Sequence, residues 1–179
     1  MIYWKKIHTL AFDFDGVFTD NKVWVNQEGI ESIRCDRSDS LGLNLLQKFI
    51  DINKWDLDYF IITTETNPAV LRRAEKLNIK CFHSIENKLK FIQDRLSKRF
   101  TNLNECRDGL VYLGNDLNDL SIMNFSGFSV APSDADKRIL AKANQVLSKK
   151  GGDGFVREFI DILLDISNKE DDEIANLLL

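Results

Sequence analysis

One stretch near the N-terminus limits what this chain can become. An apolar run from Ile7 to Phe14 reads as a buried strand, yet two carboxylates, Asp13 and Asp15, interrupt it one residue apart, and Gly16 follows. At the end of a strand that spacing sends both side chains to the same face. Gly16 lets the backbone leave in a conformation that other residues avoid. Two like charges about 7 Å apart by strand rise repel each other, so a cation must neutralise them or one must hold a proton. An oxygen-only ligand set suits Mg²⁺. The chemistry this suggests is a carboxylate nucleophile and a carboxylate acid/base beside a metal. Alone, Asp-x-Asp also reads as a strand ending in a polar turn, so the rest of the chain decides.

That rest alternates. Lys22 to Val25 and Ile30 to Arg34 read as short strands around the turn Asn26-Gln27-Glu28-Gly29, a hairpin. Ser38-Asp39-Ser40 offers caps for a helix whose apolar face is Leu41, Leu43, Leu45, Leu46, Phe49 and Ile50. Tyr59 to Thr63 is a second buried strand, and Pro68 opens a helix running through Leu77. Ile79 to Phe82 reads as strand, Asn87 to Phe100 as amphipathic helix, and Gly109 to Leu113 as strand before Gly114-Asn115-Asp116-Leu117-Asn118-Asp119. A short helix to about Asn124 follows. Strands at Phe128 to Ala131 and Gln145 to Leu147 flank a helix near Asp134 to Lys142. Gly151-Gly152-Asp153-Gly154 leads into a last helix, Phe155 to about Ile166, and the tail from Asn168 to Leu179 is acidic and then apolar.

Strands alternating with helices predict an α/β fold: a doubly wound, Rossmann-like parallel sheet with helices on both faces, here with a β-hairpin at about 17–34 in place of a cap domain. At 179 residues the expected organisation is one domain over 1–179. In such sheets ligands bind beyond the C-terminal strand ends. Three polar clusters fall there: Asp13/Asp15, Thr63-Thr64-Glu65, and Asn115-Asp116-Asn118-Asp119.

Composition narrows the function classes. A net charge of -4 with no basic patch gives no sign of nucleic acid as a partner. No apolar run approaches the ~20 residues of a membrane span. The lysines at Lys5 and Lys6 are not followed by a long apolar segment, because Asp13 and Asp15 intervene, so a signal peptide is not expected. Cys35, Cys81 and Cys106 are odd in number and scattered, which points to free thiols in a reducing cytoplasm. His8 and His83 lie far apart and read as structural.

The clusters together resemble the haloacid dehalogenase superfamily of phosphotransferases. Its first motif, Asp-x-Asp-x-[Thr/Val], is matched by Asp13-Phe14-Asp15-Gly16-Val17; its second, a Thr or Ser ending a strand, by Thr63; its third, a Lys before or within a helix, by Lys88; its fourth, an acidic cluster, by Gly114 to Asp119. The finer resemblance is to the small, nearly capless subgroup that dephosphorylates sugar-acid phosphates, which includes 3-deoxy-manno-octulosonate 8-phosphate phosphatase and the N-acylneuraminate or KDN 9-phosphate phosphatases. The short hairpin, Ser38 to Gly42, Thr64-Glu65-Thr66-Asn67-Pro68, and Gly151-Gly152-Asp153-Gly154-Phe155-Val156-Arg157-Glu158 carry it.

The resemblance implies a phosphoric monoester hydrolase that works through an aspartyl-phosphate. Asp13 is its nucleophile and Asp15 its acid/base, while Thr63 and Lys88 hold phosphate oxygens. Mg²⁺ is the implied cofactor, bound by Asp13 and the backbone carbonyl of Asp15. The fourth motif departs from the commonest form, since Asn115 stands where an Asp usually binds the metal; Asp116 and Asp119 are then candidates to restore the charge. Glu65, Arg73 and Lys76 match positions that bind the sugar acid in the nine-carbon enzymes, and Arg73 and Lys76 share a helix face; a solvated charged face is the competing reading. A homotetramer in which each hairpin covers a neighbour's site is implied as well. The alternative is a non-catalytic tetramerisation or regulatory domain linked to an acylneuraminate cytidylyltransferase, against which intact Asp13 and Asp15 argue.

Overall fold

The computed structural model describes residues 4–178; residues 1–3 and 179 of the expected 1–179 span lie outside the described residues. The strand read at Ile7 to Phe14 is β1 (Thr9–Phe12), the middle of a six-stranded sheet. From it the chain makes an antiparallel hairpin, β2 (Thr19–Val25) and β3 (Glu31–Cys35), then helix α1 (Ser38–Asn53), and returns to β4 (Asp58–Ile62). Helix α2 (Pro68–Leu77), β5 (Lys80–Phe82), α3 (Lys88–Leu96) and α4 (Leu103–Asp108) follow. Then come β6 (Leu110–Leu113), α5 (Leu120–Phe125), β7 (Phe128–Ala131), α6 (Lys137–Leu140), β8 (Gln145–Val146), α7 (Phe155–Leu163) and α8 (Asp171–Leu178).

The sheet order is β5-β4-β1-β6-β7-β8, and every pairing in it is parallel. Alternation along the strands sorts the core into two layers. Leu10, Phe12, Ile61, Val111 and Leu113 pack under α1, α2, α7 and α8, whereas Ala11, Phe60, Ile62, Leu110 and Tyr112 pack under α3 to α6. Covered on both faces, these strands read as continuous apolar runs. Helix α7 alone buries Phe155, Val156, Phe159, Ile160 and Leu163, each worth about 1.5–3 kcal/mol of transfer free energy before chain entropy is counted. From β1 the chain winds out to one edge through β4 and β5, then crosses to the other side at β6. The crevice above β1 is therefore the switch point at which open α/β sheets bind ligands.

Several elements differ from expectation. None of Ser38-Asp39-Ser40 caps α1: its N-cap is Arg37, which makes no side-chain capping bond, and Asp36 just before it accepts from Ser38 N–H and Oγ at 2.7 Å each, while Asp39 turns inward. Helix α3 starts at Lys88 on an Asn87 cap and stops at Leu96, short of Phe100. Helix α7 stops at Leu163, and Asp165 takes a left-handed φ of 55°. Two helices were not read from sequence, α4 with its Asn102 cap and α8. The acidic start of α8 suits a helix N-terminus, and its Leu177 is buried in the α1 layer.

Gly151 and Gly152 support the loop that follows β1. A Cβ on Gly151 would lie 2.1 Å from the Gly16 carbonyl oxygen, and one on Gly152 2.4 Å from Asp20 N. Asp39, in the first turn of α1, is wholly inaccessible: Oδ1 accepts from Arg157 N at 2.9 Å, and among the described residues Oδ2 is buried with no partner. Burial pushes its carboxyl up to about 7, with Asp36 adding to the effect and the Arg157 hydrogen bond opposing it. An unfolded Asp titrates near 4. Between about pH 4 and pH 7 the folded chain thus holds the extra proton, and stability falls as pH rises across that window. Asp39→Asn removes the share of that slope due to Asp39. We expect it to exceed the wild type by about 2 kcal/mol at pH 8, with the gap closing toward pH 4; urea denaturation from pH 4 to 8 measures this, and parallel curves would refute it.

Candidate active site

The C-terminal ends of β1, β4 and β6 open on a cavity of about 380 Å³ lined by Asp13, Asp15, Asn21, Thr63, Thr64, Asn115, Asp116 and Asn118. Both carboxylates of the Asp-x-Asp stretch line it, although neither is in the strand: β1 ends at Phe12. Asp13 is 4% exposed, and its Oδ1 accepts from Phe14 N at 2.7 Å and from Lys88 Nζ at 2.7 Å. Among the described residues its Oδ2 has no partner. Asp15 is less buried and is held through Thr19, whose hydroxyl donates to Asp15 Oδ1 at 3.1 Å and accepts from Gly16 N at 3.2 Å.

Lys88 is placed here because Asn87 caps α3, putting Lys88 at the helix's first position. Its ammonium, 3% exposed, lies between Asp13 and Asp119 Oδ1, at 2.7 and 2.8 Å. Burial alone would lower the Lys88 pKa, but the two carboxylates raise it. Asp13 is raised as well, which for a carboxylate disfavours the charged form: burial raises it, Asp119 adds to that, and Lys88 opposes. Asp15 is likewise raised, first by burial, with the charges of Glu65 and Glu31 adding to it against the Thr19 hydrogen bond.

Asp119 was read from sequence as a group that restores charge at a metal. The structure assigns it differently. Oδ1 accepts from Lys88 Nζ and from Tyr112 Oη at 2.6 Å, and Oδ2 from Asn115 N at 2.9 Å and Asp116 N at 3.4 Å. With both oxygens committed and no exposure, it organises the fourth cluster from beneath. The signal was present as the Asp116-x-x-Asp119 spacing of a capping box, which the structure forms. Thr19 and Tyr112 carried no such signal, since only the tertiary fold brings them to Asp15 and Asp119.

Asn115 is 6% exposed, and among the described residues its buried Oδ1 has no partner. It lies so close to Gly16 (φ 75°) that a Cβ there would meet its Nδ2 at 1.8 Å. Asp116 is exposed at the cavity rim and also caps the turn 117–119, accepting from Leu117 N at 2.7 Å. Among the described residues no group of three Asp, Glu, His or Cys side chains is poised to hold a metal. What converges is an oxygen set of two carboxylates and one unpartnered carboxamide, and this fits a hard cation that keeps several waters.

Thr63 lines the cavity at 2% exposure, its Oγ1 accepting from Glu65 N at 3.1 Å. Glu65 lines a smaller adjoining cleft of about 140 Å³ with Asp15 and Asn21. Arg73 and Lys76 line neither. Arg73 Nη2 donates to the Asp36 carbonyl at 2.8 Å and to Ser40 Oγ at 3.2 Å, and Lys76 is exposed on α2. A larger groove of about 520 Å³ lies at the opposite strand ends, around Thr9 and Asp58. Of its three cations, Arg95 and Arg99 are paired with Asp58 and Asp56, and Lys98 is the third.

Comparisons with known proteins relate most of the chain to one family of enzymes. A family model described as haloacid dehalogenase-like hydrolase matches residues 17–159. The chain is 31% identical over 160 residues to the 3-deoxy-D-manno-octulosonate 8-phosphate phosphatase of Yersinia pestis, covering 88% of this chain and 80% of that one. It is 30% identical over 169 residues to the same enzyme of Escherichia coli K12, covering 94% and 85%. The Moraxella catarrhalis phosphatase, solved with magnesium, phosphate and KDO, superposes with a TM-score of 0.81 at 29% identity, covering 96% of this chain and 94% of that one. Among the described residues no helix is long and apolar enough to cross a membrane.

The buried Asp13–Lys88–Asp119 set yields a test. Asp119→Asn places an amide N–H against either Lys88 or the backbone amides of 115 and 116, and leaves the buried ammonium with one carboxylate. We expect a loss of about 3 kcal/mol in urea denaturation, and a variant within error of the wild type would refute the arrangement.

Proposed function

The chain belongs to the haloacid dehalogenase-like hydrolase family, and on that premise we propose that it is a phosphoric monoester hydrolase acting on a sugar-acid phosphate, with 3-deoxy-manno-octulosonate 8-phosphate or a nine-carbon acylneuraminate 9-phosphate as the substrate class. The carrying observation is the Asp13–Lys88 contact at 2.7 Å at the head of the cavity. We read residues 1–179 as one hydrolase domain with the hairpin inserted, working in a reducing cytoplasm.

In this reading Asp13 Oδ2 attacks phosphorus while the bond to the sugar oxygen breaks, leaving an aspartyl-phosphate. Asp15, whose raised pKa suits an acid, gives its proton to the departing oxygen. It then takes a proton from the water that attacks the phosphoenzyme, releasing phosphate and restoring Asp13. Thr63 and Lys88 orient the non-bridging oxygens. The carboxylates Asp13, Asp15, Asp116 and Asp119 outnumber Lys88 around the cavity, so a phosphate dianion needs further positive charge. Mg²⁺, held by Asp13, the Asp15 backbone, Asn115 and the neighbouring Asp116, would supply that charge when bound. The alternative, a non-catalytic partner of a cytidylyltransferase, rests on Asn115 in place of the usual Asp and on the lack of a large cap, and intact Asp13 and Asp15 weigh against it.

Asp13→Asn is nearly isosteric and should abolish turnover, by at least about a thousandfold, while circular dichroism stays native. Wild-type activity should vanish with a chelator and return with Mg²⁺. Turnover retained by the variant would sink the assignment of Asp13.

The assembly proposed is a homotetramer. Val23, Trp24, Val25 and Ile30 are 54%, 69%, 59% and 62% exposed on the hairpin, a cost that a neighbouring subunit would remove. Trp24→Asp should lower both the mass seen by light scattering and the turnover. A monomeric wild type with full activity would refute completion of the site by a neighbour.

A further inference from the structure

We propose that Asn21 determines specificity for the leaving group, and that the cleft it borders takes the polyhydroxylated part of the substrate; this rests on the phosphatase reading above. Thr19 pairs with Cys35 and Val23 with Ile33, so four steps along β2 face two along β3. The surplus forms a bulge with Asn21 at its middle, in a left-handed conformation with φ 58°, which Asn tolerates better than most residues. Its N–H donates to Thr19 Oγ1 at 3.2 Å, and the same hydroxyl holds Asp15 at 3.1 Å. One buried threonine therefore fixes Asn21 relative to the acid.

Asn21 and Asp15 are shared by the 380 Å³ cavity and the 140 Å³ cleft beneath the hairpin. If Asp15 protonates the leaving oxygen, whatever that oxygen carries must pass Asn21. Among the described residues the Asn21 carboxamide has no hydrogen-bonding partner, so it offers both a donor and an acceptor to what enters. The remaining polar walls are Glu31, Glu65 and Asn67, the last donating to Glu31 Oε2 at 3.1 Å. Among the described residues no lysine or arginine lines the cleft. Carboxylate walls without a cation accept hydrogen bonds from hydroxyls and repel a carboxylate. Such walls orient the substrate with its hydroxyls in the cleft and its carboxylate outside it.

The test is Asn21→Gly, which keeps the left-handed backbone and removes only the carboxamide. Two probes are compared in the presence of Mg²⁺: mannitol 1-phosphate, rich in hydroxyls, and p-nitrophenyl phosphate, which has none. The ratio of their kcat/KM values should fall about tenfold in favour of p-nitrophenyl phosphate, chiefly through KM, as expected for one lost hydrogen bond. A purely structural role for Asn21 would leave the ratio unmoved, because glycine satisfies that backbone at least as well. An unchanged ratio in an active enzyme would overturn this proposal alone. A wild type that hydrolyses neither ester would overturn the phosphatase reading and this proposal with it.

Discussion

A lysine ammonium held between two carboxylates, with almost no access to water, is the interaction on which the rest of the site depends. Asp13, Lys88 and Asp119 come from the ends of three separate structural units: the strand β1, the first turn of α3 and the turn after β6. Each ion alone would cost several kcal/mol to bury, and the set is tolerable only because every member is paired and hydrogen-bonded. Tyr112 and the amides of 115 and 116 complete Asp119. The same contacts that lower the desolvation cost therefore set the position of Asn115 beside Gly16 and leave one oxygen of Asp13 unengaged.

A second layer of constraint acts through the loop that follows β1. The Gly151-Gly152 backbone presses on Gly16 and Asp20 at distances that leave no room for a Cβ. Arg34 on β3 pairs with Asp20 at 3.3 Å and with Asp153 from the glycine loop. The hairpin base, the loop after β1 and the start of α7 are thus one packed unit, while the hairpin's apolar tip is left exposed. That division, a rigid root and an unpartnered tip, is what a subunit contact would exploit. The cleft under the hairpin is bounded by both parts, Asn21 at the bulge and Val23, Glu31 and Ile33 further along the two strands.

Much of this was legible in the sequence. The parallel six-stranded sheet follows from apolar runs alternating with helical periodicity, and Pro68–Leu77 was readable to the residue because the proline marks its start. Asp13, Asp15, Thr63 and Lys88 were legible because each sits just past a strand end or at a helix start, positions that local signals mark. The short helices α4 and α8 were missed because their own periodicity is too brief to register; packing onto a finished core holds them. Arg73 was legible as a charge on a helix face but not as a group already engaged by Asp36 and Ser40, since those partners lie more than 30 residues away in sequence.

The sequence by itself determined the strand order's raw material, the run of apolar segments, and the chemical types that end them: carboxylates, a hydroxyl, an ammonium and a carboxamide. Only the tertiary structure decided which of those groups meet. Asp119 became a buried support for Lys88, and not a ligand at the cavity, because both its oxygens are taken by donors from Tyr112, Lys88 and two backbone amides. Asn115 kept a bare oxygen because it packs against a glycine and finds no donor there. Residue type follows from the local chain, but hydrogen-bond partners and burial belong to the whole fold, and those two quantities separate a reactive group from a structural one.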